Sequence, residues 1–161
     1  MKALRLLTAR WSPLLRNPWT PAQHEEWSRD QVGHHGENIA ARWLQAQGCR
    51  ILYRNYRADG GGEVDIVCRD QKVLVFCEVK TRTGTPMIRP GSAVTPEKQA
   101  LIVRGASSWL QKLGMPDISW RYDIMEIVLT PGKAPEVNWL RTAFDTTAMK
   151  QSLGRRRRRS L

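Results

Sequence analysis

Two short runs hold the side chains that could do chemistry: Gly62-Glu63-Val64-Asp65-Ile66-Val67 and Leu74-Val75-Phe76-Cys77-Glu78-Val79-Lys80. Read as strands, each alternates its side chains between two faces. Glu63 and Asp65 then leave one face of the first strand, with Val64 and Ile66 on the other. Glu78 and Lys80 share a face of the second, with Cys77 and Val79 opposite. A hairpin turn over residues 69–72 makes the strands neighbours, so their acidic ends converge. Three carboxylates and a lysine at the end of an apolar sheet are costly to bury unless they are paired or bind a metal. The set suits a divalent ion with an amine beside it. A structural ion pair among Asp65, Glu78 and Lys80 is the simpler account on these residues alone.

The flanking elements must position that set. Ile39, Ala40, Trp43 and Leu44 form a helical stripe that begins near Gly36 and stops at Gly48, with Glu37 in its first turn. Residues 49–56 read as a strand with Ile51 and Tyr53 on one face, and residues 83–94 as a Gly-, Pro- and Thr-rich loop. Thr95-Pro96-Glu97-Lys98 is a helix start, with Thr95 as N-cap and Pro96 first in the helix. Leu101, Ile102, Gly105, Trp109 and Leu113 continue it as a stripe to Gly114. Residues 120–129 read as an apolar strand holding Arg121 and Asp123 as an inner polar pair, and residues 137–140 as a last short strand. The order predicts an α/β fold: a three-strand meander, a crossover helix to a fourth strand, and a mixed sheet flanked by helices.

The chain of 161 residues is 41% hydrophobic, enough for one domain with extensions. Residues 1–35 read as an irregular or weakly helical extension containing Pro13, Pro18 and Pro21 among Trp11, Trp19 and Trp27. Residues 36–145 are the domain, and residues 146–161 an Arg-rich tail expected to be disordered. His34 and His35 read as a solvated linker. Of the net charge of +11, Arg155, Arg156, Arg157, Arg158 and Arg159 supply +5, residues 1–35 supply +2, and residues 36–154 supply +4. Such a balance favours polyanions, nucleic acid above all, and the five arginines are its candidate contacts. A solvated, solubilising tail explains them equally well. Cys49, Cys68 and Cys77 lack zinc spacing and read as reduced core residues of a cytoplasmic protein. No apolar run approaches the ~20 residues that span a bilayer, so no membrane partner is expected. The start, Met1-Lys2-Ala3-Leu4-Arg5-Leu6-Leu7, is too interrupted by charge to read as an export signal.

Six ordered motifs carry a family resemblance. They are Gly36-Glu37-Asn38-Ile39-Ala40, Asn55-Tyr56-Arg57, Gly61-Gly62-Glu63-Val64-Asp65-Ile66-Val67, Val75-Phe76-Cys77-Glu78-Val79-Lys80-Thr81-Arg82, Val94-Thr95-Pro96-Glu97-Lys98 and Arg121-Tyr122-Asp123. Together they resemble the bacterial YraN-like family, over roughly residues 36–145. Through it the chain resembles the PD-(D/E)XK, restriction endonuclease-like nucleases, archaeal Holliday-junction resolvases among them, whose core runs αβββαβ.

The resemblance implies a metal-dependent endonuclease that hydrolyses DNA phosphodiesters, branched or damaged DNA in repair or recombination included. It implies Mg2+ or Mn2+ bound by Asp65 and Glu78, with the Val79 carbonyl completing the shell and Glu37 matching a glutamate of the resolvases. Lys80 becomes the partner of the attacking water, and Asp65, Glu78 and Lys80 the catalytic set. Mg2+ takes hard oxygen ligands and keeps waters, which suits such a set. The proline of the superfamily's name is missing, since Val64 precedes Asp65. Glu63 is an additional acid for a second metal, or for pairing with Lys80 or Lys98. Lys98 stands at a helix start, where it could meet a phosphate or simply be solvated. Glu37 could equally serve its helix's N-terminal dipole. The alternative function is a nucleic-acid-binding protein that keeps the fold with little turnover. A homodimer fits either reading.

Overall fold

The computed structural model describes residues 19–20, 22, 26–84 and 94–144, and the backbone at 7–8. The five C-terminal arginines and the loop at 85–93 lie outside the described residues, as does most of the N-terminal extension. The elements are β1 (Leu7–Thr8), α1 (Arg29–Ala46), β2 (Arg50–Ala58), β3 (Gly62–Asp70), β4 (Val73–Thr83), α2 (Pro96–Lys112), β5 (Trp120–Leu129) and β6 (Glu136–Leu140). They form one six-stranded sheet in the order β1-β6-β5-β4-β3-β2. The pairs β2–β3, β3–β4, β5–β6 and β1–β6 are antiparallel, and β4–β5 is parallel. The parallel pair needs a long connection, and α2 provides it. The fold is therefore α/β with an αβββαβ core, as the element order predicts.

The helices cover opposite faces. Ile39, Ala40, Trp43 and Leu44 of α1 pack with Ile66, Cys68, Val75, Cys77, Met125, Ile127 and Trp139. Ile102, Val103, Ala106 and Leu110 of α2 pack with Tyr56, Val64, Val67, Leu74, Phe76 and Ile124. The stripe of α1 is the one read from sequence. That of α2 is displaced, because Leu113 is its C-cap and lies 52% exposed. α2 begins as expected: the Thr95 hydroxyl accepts the Lys98 N–H at 3.3 Å, and Pro96 follows.

α1 begins at Arg29, seven residues before the expected start. A capping box sets it there. The Gln31 N–H donates to Ser28 Oγ at 3.3 Å, and the Ser28 N–H donates to Gln31 Oε1 at 2.8 Å. Two expectations are corrected as a result. Glu37 stands well inside the helix rather than in its first turn, so the helix-dipole reading lapses. His34 and His35 are helical rather than linker, and half-buried His35 meets the rings of Trp19 and Trp27 at 5.5 and 5.1 Å. Burial, then the charge of Arg42, holds the His35 imidazole below its ordinary pKa.

The β3–β4 turn is confined to Gln71 and Lys72, since Arg69 and Asp70 pair with Leu74 and Val73. Gln71 takes the left-handed φ of 53° that closes it. Strict alternation fails at two places. A register shift between Ile51 and Tyr53 sends Ile51 toward α1 and Tyr53 toward Trp109 of α2. Further along, Arg54 donates to Asn38 of α1 at 2.8 Å, while Tyr56 OH contacts Ser108 Oγ of α2 at 2.9 Å. Residues two apart thus face opposite sides, because Asn55 between them has φ 53°. β3 breaks at the matching point: Val64 lies in the α2 core and Ile66 in the α1 core.

On β5, opposite Cys77 in the parallel register, Asp123 is buried and fully satisfied. It accepts Arg121 Nε at 3.0 Å, Trp139 Nε1 at 2.9 Å and the Thr142 N–H at 2.9 Å. Arg121 also reaches Asp70 at 2.8 Å. This is the expected inner polar pair, and it ties β3, β5 and β6 together.

Candidate metal centre

The break in β3 builds the site. The β3–β4 ladder stops at Ile66 opposite Cys77. Before that point β3 leaves β4 and lies on α2, because two glycines meet. A Cβ on Gly62 would stand 2.3 Å from the Gly105 nitrogen, and one on Gly105 would stand 3.0 Å from the Glu63 nitrogen. The chain therefore tolerates nothing larger at this crossing. β4 continues straight along β5 to Thr83. A cleft opens between the diverging strands, and Asp65 stands at its apex.

Asp65 takes over where the backbone ladder ends: its Oδ2 accepts the Val79 N–H at 2.7 Å. Its carboxyl adjoins that of Glu78, the residue before Val79 on β4. Glu78 is buried, 6% exposed. One of its oxygens, Oε1, receives the Lys98 ammonium at 3.3 Å. The other, Oε2, is buried without a hydrogen-bond partner, and so is Oε2 of Glu37. Glu37 enters from the α1 side, where Gly36 makes room: a Cβ there would lie 1.8 Å from Thr81 Oγ1. The Glu37 carboxylate lies 3.6 Å from His34 Nδ1. Glu63 pairs closely with Lys98 from the α2 side. Lys80 is half-buried two residues past Glu78 on β4.

The electrostatics follow from burial beside like charge. Desolvation and the neighbouring Asp65 push the Glu78 carboxyl up to about 8, with Lys98 pulling against them. Asp65 is also raised, by burial and by Glu37, against the Val79 N–H and Lys98. Two acceptors pressed together hold a shared proton when no cation separates them. Burial disfavours the Lys98 charge, but the bond to Glu63 and the carboxylates of Glu78 and Asp65 outweigh it and raise its pKa. Glu63 is held low, first by that bond.

The donor set fits a hard divalent ion in type: carboxylate oxygens, two of them buried without a donor. It is incomplete in arrangement. Among the described residues, no three Asp, Glu, His or Cys side chains form a ready cage. Asp65 and Glu78 are together, Glu37 is near enough to shift Asp65, and Glu63 is taken by Lys98. The pair suffices only for an ion that keeps much of its water, as Mg2+ does. From sequence, Lys98 could meet a phosphate, stay solvated or pair with Glu63. The structure gives the pairing with Glu63 and adds the contact with Glu78, which the alternation of the strands gave no sign of.

A family model described as "Uncharacterised protein family UPF0102" matches residues 36–127. The chain belongs to the UPF0102 family. The YraN-like resemblance of the motifs is this same family. A UPF0102 protein of Geobacter sulfurreducens is 44% identical over 114 residues, covering 71% of this chain and 88% of that protein. One of Streptomyces coelicolor is 43% identical over 115 residues, covering 71% and 88%. One of Chlorobaculum parvum is 45% identical over 97 residues, covering 60% and 74%. The matched UPF0102 stretch contains Glu37, Glu63, Asp65, Glu78, Lys80 and Lys98 and excludes the arginine tail.

Proposed function

We propose that this UPF0102 protein is a metal-dependent endonuclease that cleaves DNA phosphodiesters, branched or damaged DNA in repair or recombination included. The observation that supports this reading best is the adjoining Asp65 and Glu78 carboxyls in the β3–β4 cleft, with Glu78 Oε2 buried and without a donor. A purely structural ion pair has no reason to press two buried carboxyls together so that, with no cation between them, they must share a proton. Asp65 and Glu78 would hold Mg2+ or Mn2+, with Glu37 on the α1 side and the Val79 carbonyl as further donors. The bound ion supplies Lewis acidity and a more acidic water. The Val79 N–H fixes the Asp65 carboxylate, and the Lys98 ammonium fixes Glu78. Lys80 would orient the attacking water and take up or stabilise its charge. Exposed Arg57 and Arg104, beside Glu63 and Gly62, offer positive charge to a phosphate backbone at the α2 edge of the cleft. No helix among the described residues is long and apolar enough to cross a membrane. We assign the protein to the cytoplasm, where its three buried, unbridged cysteines stay reduced.

The second reading, nucleic-acid binding without turnover, is favoured by Lys98, which already neutralises Glu78. One experiment separates the two. Single-stranded, duplex, flap and four-way DNA are incubated with the protein and Mg2+ or Mn2+, with Glu78→Gln and Lys80→Ala as controls. Cleavage by the natural protein alone supports the enzyme. DNA affinity without cleavage supports the binder.

A further inference from the structure

Glu78 faces two ways. Its carboxyl adjoins that of Asp65, its Oε2 is buried without a hydrogen-bond partner, and its Oε1 meets the Lys98 ammonium, which also pairs closely with Glu63. A carboxylate with one oxygen directed to each of two cation positions is the bridging ligand of a two-ion site, whose ions stand roughly 3.5–4 Å apart. Here the second position, between Glu78 and Glu63, is filled by the chain itself. We infer that Lys98 is the built-in second cation of this centre, so that the cleft takes a single divalent ion, between Asp65 and Glu78. The inference rests on reading that pair as an ion site.

The placement of the ammonium is built into the backbone. Lys98 lies in the first turn of α2, fixed by the Thr95 cap, and α2 is held on β3 by the Gly62–Gly105 crossing. The side chain is 27% exposed, against 38% for Glu63 and 8% for Glu78, so the bridge is partly withdrawn from solvent. An ammonium in that position can neutralise Glu63 and Glu78 and offer N–H donors to an oxyanion. It has no coordination site for a second water, so any hydroxide must come from the single ion.

Mn2+ titration of the full chain tests this, read by electron paramagnetic resonance of the unbound ion. The natural protein should bind one Mn2+. Lys98→Met, which keeps the length and removes the charge, should bind two. Lys98→Met with Glu63→Gln should return to one. Two ions on the natural protein, or one on Lys98→Met, overturn the inference while leaving the Asp65–Glu78 site standing. No binding by any of them sinks that site, and the inference with it. If Lys98→Met does not fold, Glu63→Gln alone decides. Its Mn2+ affinity should stay within about threefold of natural, because Glu63 serves Lys98 and not the ion, whereas a loss of about tenfold or more refutes the assignment.

Discussion

Glu78→Gln should make the metal-free protein more stable at alkaline pH, although it removes a buried partner of Lys98. The Glu78 carboxyl is pushed up to about 8 from an ordinary 4.5, by burial and then by Asp65. Between those values the folded protein holds a proton that the unfolded chain has released. Stability therefore falls as pH rises through that window, and the loss is complete above it. The shift corresponds to at most about 5 kcal/mol. Exchanging a charged acceptor for the glutamine carbonyl opposite Lys98 offsets about 1–2 kcal/mol of the gain, and Lys98 keeps Glu63. A net gain of at most about 3–4 kcal/mol at pH 8.5 should remain, or roughly 9–12 °C in Tm. Near pH 5.5 Glu78 is protonated in the folded protein, so glutamate and glutamine should differ little. Urea unfolding at a series of pH values in chelator reads both slopes. Equal slopes in the two proteins, or a Glu78→Gln protein less stable at pH 8.5, would refute the reasoning. In the natural protein Mn2+ should displace the shared proton and restore the lost stability, most strongly at alkaline pH; in Glu78→Gln it should not.

Gly36→Ala should cost about 1–3 kcal/mol, because its Cβ would meet Thr81 Oγ1 and force α1 off β4; thermal unfolding reads it, and an unchanged Tm contradicts the close approach. Asp123→Ala should destabilise by about 3–5 kcal/mol, since Arg121 and Trp139 lose a buried acceptor. Its Mn2+ affinity should nevertheless stay within about threefold of natural, because both Asp123 oxygens are taken by Arg121, Trp139 and the Thr142 N–H rather than by the ion. Deleting residues 155–159 should reduce the salt dependence of DNA binding by about 4 in log–log slope if all five arginines touch phosphates. An unchanged slope assigns the tail another role. Lys80→Ala should abolish cleavage and spare Mn2+ binding, a split that a ligand role for Lys80 would not produce.

Local sequence determined much of this molecule. The Thr95-Pro96 start of α2, the stripe of α1 and the apolar run of β5 are short-range signals, and they gave the element order. That order in turn required a meander and a crossover, hence the mixed sheet. The pairing of Asp65 with Glu78 was legible too, because hairpin-linked strands have few registers that bury their apolar residues. What failed was strict alternation. Glu63 and Asp65 belong to one face only in a straight strand, and β3 is not straight. Its bend depends on the left-handed Asn55 of its neighbour and on the contact of Gly62 with Gly105, forty-three positions away. Neither shows in the local pattern of residues 62–67. The inward turn of Lys98 has the same origin. The helix start is written in Thr95 and Pro96, but the carboxylates it meets are brought there by a strand that leaves its sheet. Residue types determined which chemistry was available, and long-range packing decided which charges meet.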